Sequence, residues 1–300
     1  MTNSGFIYSI YVYTRYVYKK NICKQFERRT NMIIIGENLN GAIPSIKQAI
    51  IDKNEELIKE RARLQDAAGA DYIDCAPSTS PDVEYETMVW MIKLIQEVTD
   101  KPICIDSPDA KLLARIIQEG HLKKPGMVNS VNEEGDKCET IFPIIAGTDW
   151  NVVGLTCDQD GIPSDPQKKI DIAKSIIDKA VKYGVDLKKL HIDPCVMAVS
   201  TVPSSMSDFI TCIKGIHEYA PDVKVVGAIS NISFSMPARK YINQYCLAYA
   251  IEAGLDSAIM DPCNKDMIAS IYASEALCEI DKSGRKYNRA YRKGLFGNKK

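Results

Sequence analysis

The chain has 300 residues, 45% of them hydrophobic and 26% charged, with a formal net charge of −1. That composition belongs to a globular chain long enough for one large α/β domain or two ordinary ones. It excludes the basic footprint of a nucleic-acid binder, and neither zinc-finger spacing nor aromatic–basic interleaving is present.

Residues 1–31 differ in character from the rest of the chain. "FIYSIYVYTRYVY" is rich in tyrosine and β-branched residues, "KKNICKQFERR" is basic, and the segment carries six Lys/Arg against one Glu. Arg15 interrupts the apolar run, which falls short of the roughly 20 residues a membrane helix needs. A secretory signal would place its charges before the apolar stretch, whereas here they come after it. The segment reads as an N-terminal extension, disordered or not native, with Met32 as the natural start and no membrane association. Residues 32–300 then form a single domain with a C-terminal tail.

From Met32 onward, short β-branched runs recur at 32–37, 72–76, 102–106, 127–131, 151–156, 190–194, 223–230 and 257–262. Between them lie stretches with helical periodicity, such as "NEELIKERARLQDAAG" and "DPQKKIDIAKSIIDKAVKYG". Asn54 has the place of an N-cap, and Gly69, Gly184 and Gly254 have the places of helix stops. Eight such strand–helix units predict a (β/α)₈ TIM barrel. Continuous rather than alternating apolar runs suit strands covered on both faces. A doubly wound sheet would carry GxGxxG after its first strand, and "GENLNG" does not supply it.

Barrel sites are built at the C-terminal ends of the strands. Those ends carry Glu37, Asn40, Asp74, Asp106 with Ser107, Asn129 with Ser130, Thr156, Asp158, Asp193, Asn231 and Asp261. Any one of them could be a helix cap or a turn residue. Together they make a ring of acceptors and carboxamides without lysine or histidine. Such a ring suits a flat neutral heterocycle that presents several N–H donors and a carbonyl, such as an aminopyrimidinone. It suits phosphate badly, and Trp90 and Trp150 lie away from the strand ends, where a sugar site would want them.

Ten cysteines are scattered without a CxxC pair, several inside strand-like runs such as "PICID". Buried free thiols in a reducing cytoplasm fit this usage better than disulfides or a structural metal site. Cys75, Cys157, Cys195 and Cys263 lie near strand ends, but no base partner marks any of them as a nucleophile.

The motifs "IIIGENLNGAIPSIKQAI", "ICIDSP", "MVNSV", "GLTCDQDGIP", "LHIDP" and "GAISNIS", in that order and spacing, resemble the methyltetrahydrofolate:corrinoid protein methyltransferases. The similarity runs from Met32 to about Leu277. "RKYNRAYRKG" resembles most the subgroup that transfers methyl between a corrinoid protein and tetrahydrofolate in methylated-amine metabolism. The resemblance implies a dimeric pterin-binding barrel acting on tetrahydrofolate or 5-methyltetrahydrofolate, with the corrinoid (cobalamin) carried by a partner protein. It also implies that Asp106, Asn129 and Asp193 hold the pterin edge. Asn231 would sit near N5 as the catalytic residue, and Asp74, Asn40, Ser230 and Arg239 would complete the pterin set. Phe234 departs from the pattern, standing where a related branch has Gln. Two rivals are a dihydropteroate synthase-like enzyme, which would want a lysine at the end of strand seven, and a non-catalytic folate- or corrinoid-protein-binding subunit.

Overall fold

The structure is a computed structural model and describes residues 31–297. The apolar runs pair in parallel, each with the next, and the eighth closes on the first to give a closed barrel. Its strands are β1 (Ile33–Gly36), β2 (Tyr72–Cys75), β3 (Ile103–Asp106), β4 (Met127–Glu133), β5 (Asn151–Asp158), β6 (Leu190–Asp193), β7 (Lys224–Ala228) and β8 (Ser257–Met260). The predicted TIM barrel is therefore the observed fold. The extension expected over residues 1–31 lies outside the described residues except for Asn31.

The first strand leads into two helices, α1 (Pro44–Ile51) and α2 (Glu55–Ala67). Further round come α3 (Pro81–Val98), α4 (Ala110–Gln118), α5 (Lys137–Ile145) and α6 (Pro166–Tyr183). After them lie α7 (Ser205–Tyr219), α8 (Arg239–Ala253), α9 (Lys265–Leu277) and a terminal α10 (Arg285–Lys293). Side chains just before a helix satisfy its first free N–H groups. Asn54 Oδ1 accepts from Leu57 N at 3.2 Å, as its position predicted. Asp109 serves α4 and Asn264 serves α9 in the same way. Gly184 and Gly254 end their helices in the left-handed region, at φ 78° and 111°. Such geometry favours a residue without Cβ.

Strand boundaries shift by up to two residues, and at β4 and β7 the shift changes the local geometry. β4 runs on to Glu133 through register shifts after Asn129 and Val131. The seventh run stops as a strand at Ala228, and Ile229–Ser233 coils into a 3₁₀ turn. Ser230 and Asn231 therefore sit on a turn above the sheet, not within it.

The main core lies between the strands and the surrounding helices, where Phe142, Ile46, Ile58, Met88 and Met91 are fully buried. Each such side chain contributes about 1.5–3 kcal/mol. A smaller cluster of Ile35, Cys104, Met127, Val153 and Val226, with Tyr72, Leu155 and Ile259 against it, fills the barrel axis. Strand side chains alternate between faces, so residues two further along these strands face the axis again, one layer higher.

The top of β1 is tied to β2 by a tight approach. Gly41 N donates to Ala76 O at 2.8 Å, and a Cβ on Gly41 would stand 1.9 Å from Pro77 O. Gly41→Ala should therefore push the two loops apart and cost about 1–3 kcal/mol, the usual scale of forced overpacking. Thermal or urea melting of the variant measures this.

Candidate active site

Alternation converts the axial cluster into a polar ring. Two residues beyond Ile35, Tyr72, Cys104, Met127 and Ile259 stand Glu37, Asp74, Asp106, Asn129 and Asp261. On β6, His191 contacts Ser257 Oγ at 2.8 Å and Asn151 Oδ1 at 3.3 Å near the barrel floor. That places Asp193 in the ring above it. β3 and β4 pair Asp106 directly with Asn129, and Asn129 Nδ2 donates to Asp106 Oδ2 at 3.2 Å. Asp193 Oδ1 accepts from Cys195 N at 2.7 Å. Asn38 Nδ2 donates to Asp261 Oδ1 at 2.6 Å.

Burial sets the electrostatics here. It pushes Asp106 up to about 7, helped by the carboxylate of Glu84 on α3. It holds Asp74 well above its usual range, with Asp106 the next cause. Glu37 rises to about 7 through burial and then Asp261, against the opposing pull of Arg239. Asp193 rises to about 6 for the same first reason. Like charges crowded in low dielectric cannot all ionise. Near neutral pH the ring therefore holds carboxyls that donate beside carboxylates that accept, the mixture a heterocycle with both kinds of group requires.

The remaining sequence-predicted residues are placed less uniformly. Asn40 uses its carboxamide locally, accepting from Ala42 N at 2.8 Å and Ser78 Oγ at 3.1 Å. Arg239, the first residue of α8, folds back on the seventh loop, with Nη2 donating to Ser230 O at 2.6 Å and Nε to Ser233 Oγ at 3.0 Å. Asn231 is exposed in that loop. It is not the cap of α8, whose N-cap position is Ala238. Phe234, in the same loop, is 65% exposed.

Thr156 and Asp158 leave the ring, a correction to the sequence reading. Alternation along β5 points them away from the axis, and Asp158 pairs with Lys168 at 3.2 Å. Ser107 Oγ is engaged by Asp109 N at 3.1 Å. Glu84 escaped the sequence reading because it comes from a helix. Lys169 escaped too: it is 5% exposed on α6 and donates to Cys195 O at 2.9 Å.

Residues 39–261, which take in all of this ring but Glu37, match the family described as pterin binding enzyme. The chain belongs to that family. This pterin-binding enzyme is 44% identical to the methylcorrinoid:tetrahydrofolate methyltransferase of Eubacterium limosum over 89% of its own length and 98% of that protein's. It is 32% identical to methionine synthase of Mycobacterium tuberculosis over 78% of its length, covering 21% of that longer chain. Among solved structures, a dihydropteroate synthetase with a bound product overlays with a TM-score of 0.64 at 16% identity, over 83% of this chain and 95% of the other. At that identity the likeness concerns the fold alone.

The buried ring gives a stability prediction with a definite sign. Asp74 is fully buried and its Oδ1 has no hydrogen-bond partner among the described residues. Its folded-state pKa lies above the unfolded one, so the folded state binds the extra proton, and stability is lost as pH rises above about 4. Asp74→Asn carries no charge and can donate to Asp106. It should be more stable than the parent at pH 8 by about 1–3 kcal/mol, the cost of an unpartnered buried acceptor. At pH 4 the two proteins should melt alike, as thermal melting across that range would show.

Proposed function

We propose that the protein is a methyltransferase moving a methyl group between the cobalt of a corrinoid protein and N5 of tetrahydrofolate, in the direction from methylcorrinoid to tetrahydrofolate. The observation that carries this reading is the buried carboxyl–carboxamide ring, its carboxyls in no salt bridge among the described residues, with the exposed Asn231 at its rim. The activity named for the Eubacterium limosum relative supports it over nearly the full length of both chains.

In this reading the aminopyrimidinone edge lies against Asp106, Asn129 and Asp193. Asp74 lends a proton to the Asp106 side of the ring, and Asn40 fixes the first loop through Ala42 and Ser78. Ser230 and Arg239 fix the seventh loop, which holds Asn231 toward N5. When N5 accepts a methyl group it must release its proton, and in the reverse sense it leaves well only if protonated. A carboxamide can donate to N5 or accept from N5–H, so Asn231 can accommodate the change of charge in either direction. A lysine there would repel the protonated amine. The corrinoid, bound to a partner protein, supplies the cobalt that carries the methyl, so the chain needs no nucleophile of its own. The exposed loop carrying Asn231 and Phe234 leaves this rim open to such a partner.

The synthase-like rival finds no lysine at the top of β7, where Ile229–Ser233 stands. Homodimeric assembly, a cytoplasmic location and a place in methylated-amine metabolism are finer parts of the proposal and rest on the family resemblance. Among the described residues, no helix is long and apolar enough to cross a membrane.

Asp106→Ala or Asp193→Ala should weaken tetrahydrofolate binding by about 2–4 kcal/mol, the scale of losing a charged partner in a closed site. Unchanged calorimetric affinity in both variants would remove the ring from the folate site. Asn231→Ala should fold normally and bind folate nearly as well. Its single-turnover transfer with a corrinoid protein should slow by about a hundred- to a thousand-fold. Tight folate binding without any transfer by the parent protein would instead support the non-catalytic rival.

A further inference from the structure

Beside the ring stand two thiols that the proposed chemistry does not use. Leu155 of β5 and Asp193 of β6 are paired in register, and Cys157 and Cys195 each lie two residues further along. Paired strands run about 4.8 Å apart, inside the range of roughly 4.4–6.8 Å between Cα atoms that a disulfide spans, and Cys195 stands on the turn just past the end of β6 at Asp193. The two thiols lie near enough to perturb each other, and the Cys195 thiol donates to Asp193 O at 3.6 Å. Asn132 Nδ2 donates to Cys157 Sγ from the other side at 3.1 Å. Both cysteines are half-buried at the barrel mouth, reachable by a small solute.

We propose that Cys157 and Cys195 form a reversible oxidation site, closed to a disulfide by hydroperoxides, that governs the pterin side of the barrel through Asp193. The roles of the two sulfurs differ. Cys157 is lowered to about 7, first by the Cys195 hydrogen bond and then by Asn132 and Lys137. Cys195 is raised, first by that same bond and then by burial. Cys157 is therefore the attacking thiolate and Cys195 the resolving thiol. The Cys157 sulfur displaces hydroxide from hydrogen peroxide, breaking the O–O bond and becoming a sulfenic acid. The Cys195 sulfur then attacks it, the S–O bond breaks and water leaves. Two thiols lose two electrons and two protons, and the peroxide becomes two waters.

The link to the site is covalent and short. Cys195 holds the Asp193 carboxylate through its own N–H, in a backbone with φ of 55°. Its carbonyl is pinned by the buried Lys169. Drawing the Cys195 side chain into a disulfide reorients this turn, so the Cys195 N–H no longer fixes Asp193. The disulfide stands on the placement of the two cysteines alone, whereas its effect on folate rests on the proposed role of Asp193 at the pterin edge.

The test treats the full-length protein with hydrogen peroxide, maps cysteine pairs by peptide mass spectrometry and titrates tetrahydrofolate before and after. A Cys157–Cys195 peptide pair should appear, disappear with dithiothreitol, and be missing in Cys157→Ser and in Cys195→Ser. Folate affinity of the parent should fall about tenfold or more on oxidation, as expected for loss of one charged hydrogen bond, and recover on reduction. Cys157→Ser should keep its affinity through the same treatment. If both sulfurs remain thiols, or oxidise separately without pairing, the oxidation site is refuted. A disulfide that leaves folate affinity unchanged would overturn the control of Asp193. Reduced protein that never binds folate while still forming the disulfide would count against the proposed function and not against the oxidation site.

Discussion

Acidic side chains gathered around one axis, none of them in a salt bridge among the described residues, set the terms for the rest of this structure. Taking a lone carboxylate out of water is expensive, and crowding several together adds repulsion. The barrel answers by keeping protons: Asp74, Asp106 and Glu37 are all held above their ordinary range. Hydrogen bonds from neighbouring loops take up what negative charge remains, as Asn38 does for Asp261 and Cys195 N for Asp193. The result is a surface that both donates and accepts while remaining close to neutral. A cationic clamp would have been easier to fold and useless for a neutral heterocycle.

Much of this was readable in the sequence because two simple periodicities carry it. Strands buried on both faces must be continuously apolar, so "MIIIG" and "KVVGA" announce themselves. Barrel chemistry sits at strand ends, so Asp74, Asp106, Asn129 and Asp193 could be picked out from the chain alone. The failures have physical causes. Thr156 and Asp158 sit at the end of a strand like the others, but they have the wrong parity relative to Val153 and Leu155. The choice of inward face depends on packing against other strands. Glu84 and Lys169 reach the site from helices whose rotation no single-chain pattern reveals. The nearness of Cys157 to Cys195 depends on the register of β5 against β6, a relation between segments far apart in the chain.

A carboxamide at the mouth of the apolar run "VVGAISNISF" also has a geometric explanation. The strand ends one step before the polar residues, and a 3₁₀ turn lifts Asn231 to the rim. Arg239 then clips that turn by bonding the carbonyl of Ser230 and the hydroxyl of Ser233. A guanidinium used in this way acts as a fastener for backbone and not as a contact for an anion. The turn thus keeps a defined shape, with Ile229, Ile232 and Ser233 buried beneath the exposed Asn231.

His191 gives the barrel a second property. Enclosed completely and held at about 3, it refuses a proton at the floor while the carboxyls at the mouth retain theirs. The floor is thereby uncharged near neutral pH and the mouth carries less charge than its count of carboxyls would give. A neutral pterin head adds no net charge to that axis, and screening weakens only interactions between net charges. The affinity of a neutral pterin head should therefore be nearly indifferent to ionic strength. Any salt dependence of folate binding would report instead on the anionic glutamate end of the molecule, outside the barrel.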